Sequence, residues 1–288
     1  MAYYNGAVSS FADLKAALIA ACVGEGWVLS GSDVISKGVM FIEISAAGLT
    51  WRLRGGTGVD GGGALTGGLA QGVRMLGSGT LAVTWPASYE IFVFDSEVYL
   101  VLNHSVDRYQ WCAFGKSRIS LPGTGLWLAA TASETVVTGL TNGLRTNSTT
   151  YPSGLPVWSP GSGNNSDNFR MHHGLDGGTW STGGSVLGVG YSASQLINLL
   201  PNSWNNEAVL LPARAYYSRG SSKVSLVMEM EHARITRIDN HSPGEVVTLG
   251  YDKWKVFPGY RKNMSARNGG VNVDHTGTFG WAIRYEEP

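Results

Sequence analysis

Apolar residues Phe11, Leu14, Leu18 and Ala21, with Cys22 adjoining, recur at the three- and four-residue spacing of an amphipathic helix. Ser10 stands before them with Asp13 three positions on, a capping-box-like start in which Asp replaces the usual Glu or Gln. Gly24 and Gly26 bracket the stop. The pattern predicts one helix of about twelve to fifteen residues with a single apolar face. Beyond it the period changes. Trp27–Leu29, Val39–Ile44 and Leu49–Leu53 are short apolar or alternating runs bounded by Gly, Ser and Asp, and they read as strands. Residues 1–60 are therefore expected to form a helix lying on a small antiparallel sheet.

Strand patterning continues. Thr80–Trp85 alternates until Pro86 ends it. Tyr89–Phe94 and Val98–Asn103 flank the polar link Asp95-Ser96-Glu97, the arrangement of a β-hairpin. Tyr109–Phe114 reads as a further strand closed by Gly115. From Thr146 to Asn168 the pattern breaks into Pro, Ser, Asn and Gly, an irregular excursion. Val224–Met230, Ala233–Ile238 and Val246–Leu249 return to strand content, the last after the turn Ser242-Pro243-Gly244. Leu249–Asp252 reads as a turn, Trp254, Val256 and Phe257 as buried anchors, and Pro258-Gly259 as a second turn. In Thr278–Tyr285, Phe279, Trp281, Ile283 and Tyr285 share one face, opposite Gly280, Ala282 and Arg284.

The expected fold is mainly β, α+β only at the N-terminus: antiparallel sheets or a β-sandwich with one N-terminal helix and long glycine-rich loops. Residues 1–145 form an N-terminal lobe and 169–288 a C-terminal β lobe. Residues 146–168 are a loop or linker between them, unless the whole is one continuous domain.

Composition narrows the function classes. Of 288 residues, 40 are glycine, twice the usual share of about 7 per cent. Hydrophobic residues make up 43% and charged residues only 15%, balanced to zero net charge, which excludes a disordered chain and argues against a dedicated nucleic-acid binder. The opening MAYYNGAVSSF lacks the basic and apolar regions of a secretory leader, and no run is long enough for a membrane span. Synthesis and folding in cytoplasm, without membrane insertion, are expected. Cys22 and Cys112 have no metal-ligand spacing and read as buried hydrophobes.

Several stretches have the residue types of chemistry. Gly56-Thr57-Gly58-Val59-Asp60-Gly61 matches the dinucleotide spacing G-x-G-x-x-G. The glycines after it disfavour the required helix, and no acidic residue stands about 20 positions on for a ribose. A turned loop over a sheet is the expectation, with packing against another chain as the alternative. His172, His173 and Asp176 have the side chains of metal or acid–base sites, yet neighbours on a strand face opposite ways, so a structural turn beside Trp180 is expected. Glu229 and Glu231, at i and i+2 beside His232, fall on one face of a strand. Paired carboxylates serve glycoside hydrolysis, but Arg234 and Arg237 are close enough to neutralise them. Gly190-Tyr191-Ser192-Ala193-Ser194 misses the last glycine of a nucleophile elbow. No catalytic, cofactor or metal residue is assigned. Trp158, in the Pro/Gly excursion, is a candidate for contact with a neighbouring subunit or a glycan.

The segment WPASYEIFVFDSEVYLVLNHSVDRYQWCAFGKS (Trp85–Ser117) resembles part of many virion proteins of tailed bacteriophages. HARITRIDNHSPGEVVTLGYDKWKVFPGYRKN (His232–Asn263) and HTGTFGWAIRY (His275–Tyr285) are similar to their closing part, and DLKAALIAAC…GW to the opening of several. The three longer segments cover about a quarter of the chain. The resemblance implies a non-enzymatic structural protein of the virion, in the tail tip or baseplate, assembled in the host cytoplasm. Its partners would be further copies of itself, three or six in a closed ring or trimer, and other tail or baseplate proteins. A host-surface polysaccharide is the alternative partner. Trp158, Trp254, Phe257, Tyr260 and Arg261 are the candidate interface or glycan-contact residues.

Overall fold

The computed structural model describes residues 1–48, 50–76, 83–106, 108–133, 155–157, 168–181, 185–188, 209–238, 240–260 and 279–286. Strand β1 (Ala2–Val8) leads into helix α1 (Phe11–Gly24), followed by β2 (Val28–Ser30), β3 (Val34–Lys37), β4 (Met40–Ala47) and β5 (Thr50–Gly56). The glycine tract contributes β6 (Gly58–Val59) and β7 (Leu65–Thr66), and β8 (Val73–Leu76) follows. Three longer strands come next: β9 (Ala87–Val93), β10 (Glu97–Ser105) and β11 (Arg108–Lys116). Then come β12 (Leu126–Ala130), β13 (Ala132–Ser133), β14 (Phe169–Met171), a 3-10 turn at Leu175–Gly177, and β15 (Val186–Leu187). The chain closes with β16 (Leu211–Arg219), β17 (Lys223–Arg237), β18 (Val246–Leu249), β19 (Asp252–Pro258) and β20 (Phe279–Arg284). The fold is mainly β, with α1 the one α-helix among the described residues.

The helix starts where the side chains dictate. The Ser10 hydroxyl accepts the Asp13 N–H at 3.1 Å, and the Asp13 carboxylate reaches back to the Ser9 N–H at 3.3 Å. At the other end the N–H groups of Glu25 and Trp27 both close onto the Cys22 carbonyl. Phe11, Leu14, Leu18, Ala21 and Cys22 are the buried stripe. Among the described residues no helix is long and apolar enough to cross a membrane.

Among the described residues three six-stranded antiparallel sheets stack around this stripe and behind it. The first has the order β13-β8-β5-β4-β3-β2, the middle one β1-β9-β10-β11-β12-β14, and the third β15-β16-β17-β20-β19-β18. Period-two alternation sends the middle strands' side chains to opposite faces. Ile91, Val93, Leu100, Cys112, Phe114 and Leu128 join a core with α1 and the first sheet. Phe92, Tyr99, Val101, Trp111 and Trp127 join a second core with Met228, Ile235, Phe257 and Trp281 of the third sheet. The middle sheet is thus buried on both faces. Full burial of each such side chain contributes about 1.5–3 kcal/mol.

The helix touches β4 of the first sheet and β1 and β9 of the middle one, while β12 meets β5 and β8. At that second contact the chain itself changes sheet. Ala130 ends β12 in the middle sheet, and Ala132 begins β13 in the first. Buried Thr131 makes the corner: its hydroxyl accepts the Trp111 N–H at 2.8 Å, and its own N–H bonds the Trp111 carbonyl at 2.9 Å.

The structure departs from the sequence expectation in several elements. Val224–Met230 and Ala233–Ile238 belong to one continuous strand, β17, of 15 residues. Val83–Trp85 are not in a strand, and the rest of the strand expected at Thr80–Trp85 lies outside the described residues. β12, LWLAA, was not anticipated because every residue of it is buried and no alternation remains to be read. Of the excursion expected from Thr146 to Asn168, Leu155 and Val157 are buried in the second core, and the Asn168 amide donates to the Leu155 carbonyl at 2.9 Å.

Candidate functional site

A dense cluster of polar groups sits at an irregularity in β17. Its register against β16 pairs Pro212 with Arg234 but Arg214 with Glu229, so Ala213 alone faces the four residues 230–233. Such a bulge strands backbone groups that a regular ladder would have satisfied. Here they find side-chain partners. Glu97, the first residue of β10, accepts the Glu231 N–H on Oε1 and the His232 N–H on Oε2, both at 2.9 Å. On the acceptor side, Arg234 Nη1 donates to the carbonyls of Met230, Glu231 and Ala233 at 2.8–2.9 Å. The Arg234 guanidinium lies over the Trp254 ring, 5.1 Å from its centroid.

Glu97 is only 1% exposed, and an isolated carboxylate there would be strongly unfavourable. Two further contacts complete its coordination: the Tyr99 hydroxyl donates at 2.6 Å and His232 Nδ1 lies at 2.9 Å. Burial, reinforced by the neighbouring Glu97 charge, pushes the Tyr99 phenol well above its ordinary pKa, so it stays a donor. His232 lies flat on Phe94, with ring centroids 3.9 Å apart and planes 16° from parallel. With Nδ1 committed to Glu97, Nε2 is the remaining ring nitrogen.

The bulge forms the wall of a polar cleft of about 420 Å³, lined among others by Glu25, Lys37, Asp95, Ser96, Glu231 and His232. A second hollow, of about 570 Å³, is lined by Lys116, Arg118, Ser120, Thr124 and again Ser96 and Glu231. The two therefore adjoin at Ser96 and Glu231. Arg118 Nη1 stands 3.2 Å from Glu231 at this junction, and Lys37 Nζ 3.9 Å from Asp95.

Glu229 and Glu231 are both half-buried, either side of buried Met230, and both are ion-paired, but with arginines distant in sequence: Glu229 meets Arg214 at 2.6 Å and Glu231 meets Arg118 at 3.2 Å. The HHGLD stretch is a structural turn. His172 bridges to Trp180, and its Nδ1 accepts the Thr124 N–H at 2.9 Å. His173 Nδ1 accepts the Leu175 N–H at 3.0 Å, and its ring packs 4.2 Å from that of Tyr217. Burial holds both imidazoles below their usual pKa. Asp176 is bound by Arg219.

The glycine tract folds into the small β6–β7 hairpin, with no helix opening at Gly61. Asp60 Oδ1 organises its turn by accepting the N–H groups of Gly62 and Ala64.

Of the residues singled out as contact candidates, Trp254, Phe257 and Tyr260 are buried within the chain itself. The Tyr260 carbonyl accepts the Tyr109 N–H, and the neighbouring Gly259 carbonyl accepts Trp111 Nε1 at 3.1 Å. Trp158 and Arg261 lie outside the described residues. What is exposed nearby is the β18–β19 hairpin. Among the described residues β18 is the edge of the third sheet, paired only with β19. Val246 and Leu249 are exposed on it, and Tyr251 at the tip is wholly so.

Sequence reasoning passed over Glu97. Its one signal was an acidic residue opening an otherwise apolar strand, EVYLVLN, where a charge needs a partner. Comparison with protein-family models and with curated proteins gives no match.

Proposed function

We propose that this protein is a non-enzymatic structural component of a tailed-phage virion, in the tail tip or baseplate. It acts by assembling with copies of itself and with other virion proteins. The observation that carries this reading is the edge of the third sheet, which no other described strand covers. Strand β18 offers Val246 and Leu249 beside a fully exposed Tyr251 and holds no lysine or proline, the residues that usually blunt a sheet edge. Such an edge is suited to strand addition by a neighbouring chain. The acid–base groups point the same way, since Glu97, Glu229, His172 and His173 each serve as a structural tie. The resemblance of Trp85–Ser117 and His232–Asn263 to virion proteins supplies the biological setting.

Light scattering behind a sizing column tests the assembly. A closed species of three or six copies that dissociates in Leu249→Lys supports the proposal. A monomer that also fails to bind purified tail or baseplate proteins overturns it.

A further inference from the structure

The two adjoining hollows beside the β17 bulge form a groove whose lining has a definite chemical character. Donors and acceptors are interspersed along it with apolar side chains, Val93 and Phe94 in the first hollow and Val39, Ile119 and Leu121 in the second. Lys37 and Arg118 donate, Glu231 and Asp95 accept, and the hydroxyls of Ser96 and Ser120 do either. Charges of both signs sit side by side, as the Arg118–Glu231 and Lys37–Asp95 pairs demonstrate. A polyanion such as a nucleic-acid backbone would meet Glu25, Asp95 and Glu231, and a polycation would meet Lys37, Lys116 and Arg118. An apolar ligand would strand all of these groups without hydrogen bonds. A ligand that both donates and accepts at closely spaced positions satisfies them. That is the chemistry of a polyhydroxylated molecule.

The wall is also preorganised. Glu97 and Arg234 hold the bulge backbone, and Phe94 together with Glu97 fixes the His232 ring. A site that is already ordered loses little conformational entropy on binding. Hollows of about 420 and 570 Å³ each fall in the range of small-molecule pockets.

We infer that this groove is a saccharide-binding site, with Glu231 at its centre and Ser96, Asp95, Lys37, Arg118 and His232 around it. Glu231 would accept ligand hydroxyls on the carboxylate edge that Arg118 leaves open, and His232 would offer Nε2. The inference stands apart from the assembly proposal, because the groove lies at the bulge and not on the edge strand β18.

Saturation-transfer NMR and calorimetry on the full chain, with maltotriose, chitotriose and trigalacturonate at millimolar concentrations, test it. Saturable binding of the neutral or amino sugar is expected, weakened about tenfold in Glu231→Gln by loss of one charge-assisted hydrogen bond. Asp95→Ala, at a fully exposed side chain, serves as a second variant should Glu231→Gln lower the melting temperature. No saturable binding of any of the three sugars overturns the inference. So does affinity unchanged in both folded variants, or binding confined to the anionic sugar.

Discussion

The Glu97 carboxylate and His232 Nδ1 lie 2.9 Å apart although 135 residues of chain separate them. The contact joins the first residue of a middle-sheet strand to the bulge of the third sheet. It turns a break in one ladder into a tie between two layers. Because Glu97 also receives two backbone N–H groups and the Tyr99 hydroxyl, it does more than hold one side chain.

Replacing Glu97 should therefore cost more than a typical hydrogen bond. Glu97→Ala leaves two backbone donors and a phenol stranded in the interior, and a loss of about 3–5 kcal/mol in urea unfolding is expected. Glu97→Gln keeps the shape but not the charge and should lose less. If Glu97→Ala unfolds at the wild-type urea midpoint, the bulge does not depend on this residue.

Half-buried His172 and buried His173 set a pH dependence. Burial depresses the pKa of both His172 and His173 below the ordinary 6.5, so the unfolded chain takes up protons there before the folded one does. Their contribution to stability is complete above pH 6.5 and is lost as pH falls through that value towards the folded pKa. His172→Asn and His173→Asn should each flatten the fall in urea midpoint between about pH 7 and pH 5. An unchanged slope in both would contradict the assignment.

The cysteines should be silent in the native protein. Burial pushes the Cys22 thiol up to about 12, and Cys112, fully enclosed, is raised further. With so little thiolate present, neither should react with a disulfide reagent at about pH 8 until denaturant is added. Rapid labelling of native protein would show that this core opens readily.

The glycine tract divides into constrained and free positions. A Cβ on Gly72 would overlap the Leu53 carbonyl oxygen, and one on Gly63, at φ +81°, would sit 2.6 Å from the Gly31 nitrogen. Gly61 has nothing within 4 Å of that position. Alanine at Gly72 or Gly63 should cost about 1–3 kcal/mol, whereas Gly61→Ala should remain within about 0.5 kcal/mol of wild type. Melting temperatures of the three variants would decide between close packing and a merely flexible loop.

Local pattern was enough for the elements whose signals are local. Helix α1 was legible because Ser10 and Asp13 cap it and its apolar stripe keeps a helical period. The β9–β10 hairpin was legible from the polar link Asp95-Ser96-Glu97 between two apolar runs, although Glu97 itself opens β10, and β18 was legible from the turn that precedes it. Strand β12 was not legible, because burial on both faces erases the alternation that marks a strand. The bulge in β17 and the groove beside it were beyond any local reading. Glu229, Glu231 and His232 are adjacent in sequence, but where each side chain goes depends on Glu97, Arg118 and Arg214, all distant along the chain. Periodicity encodes which residues face a core. It cannot encode which distant partner satisfies a backbone group that has left its ladder, because that energy exists only once the sheets are stacked.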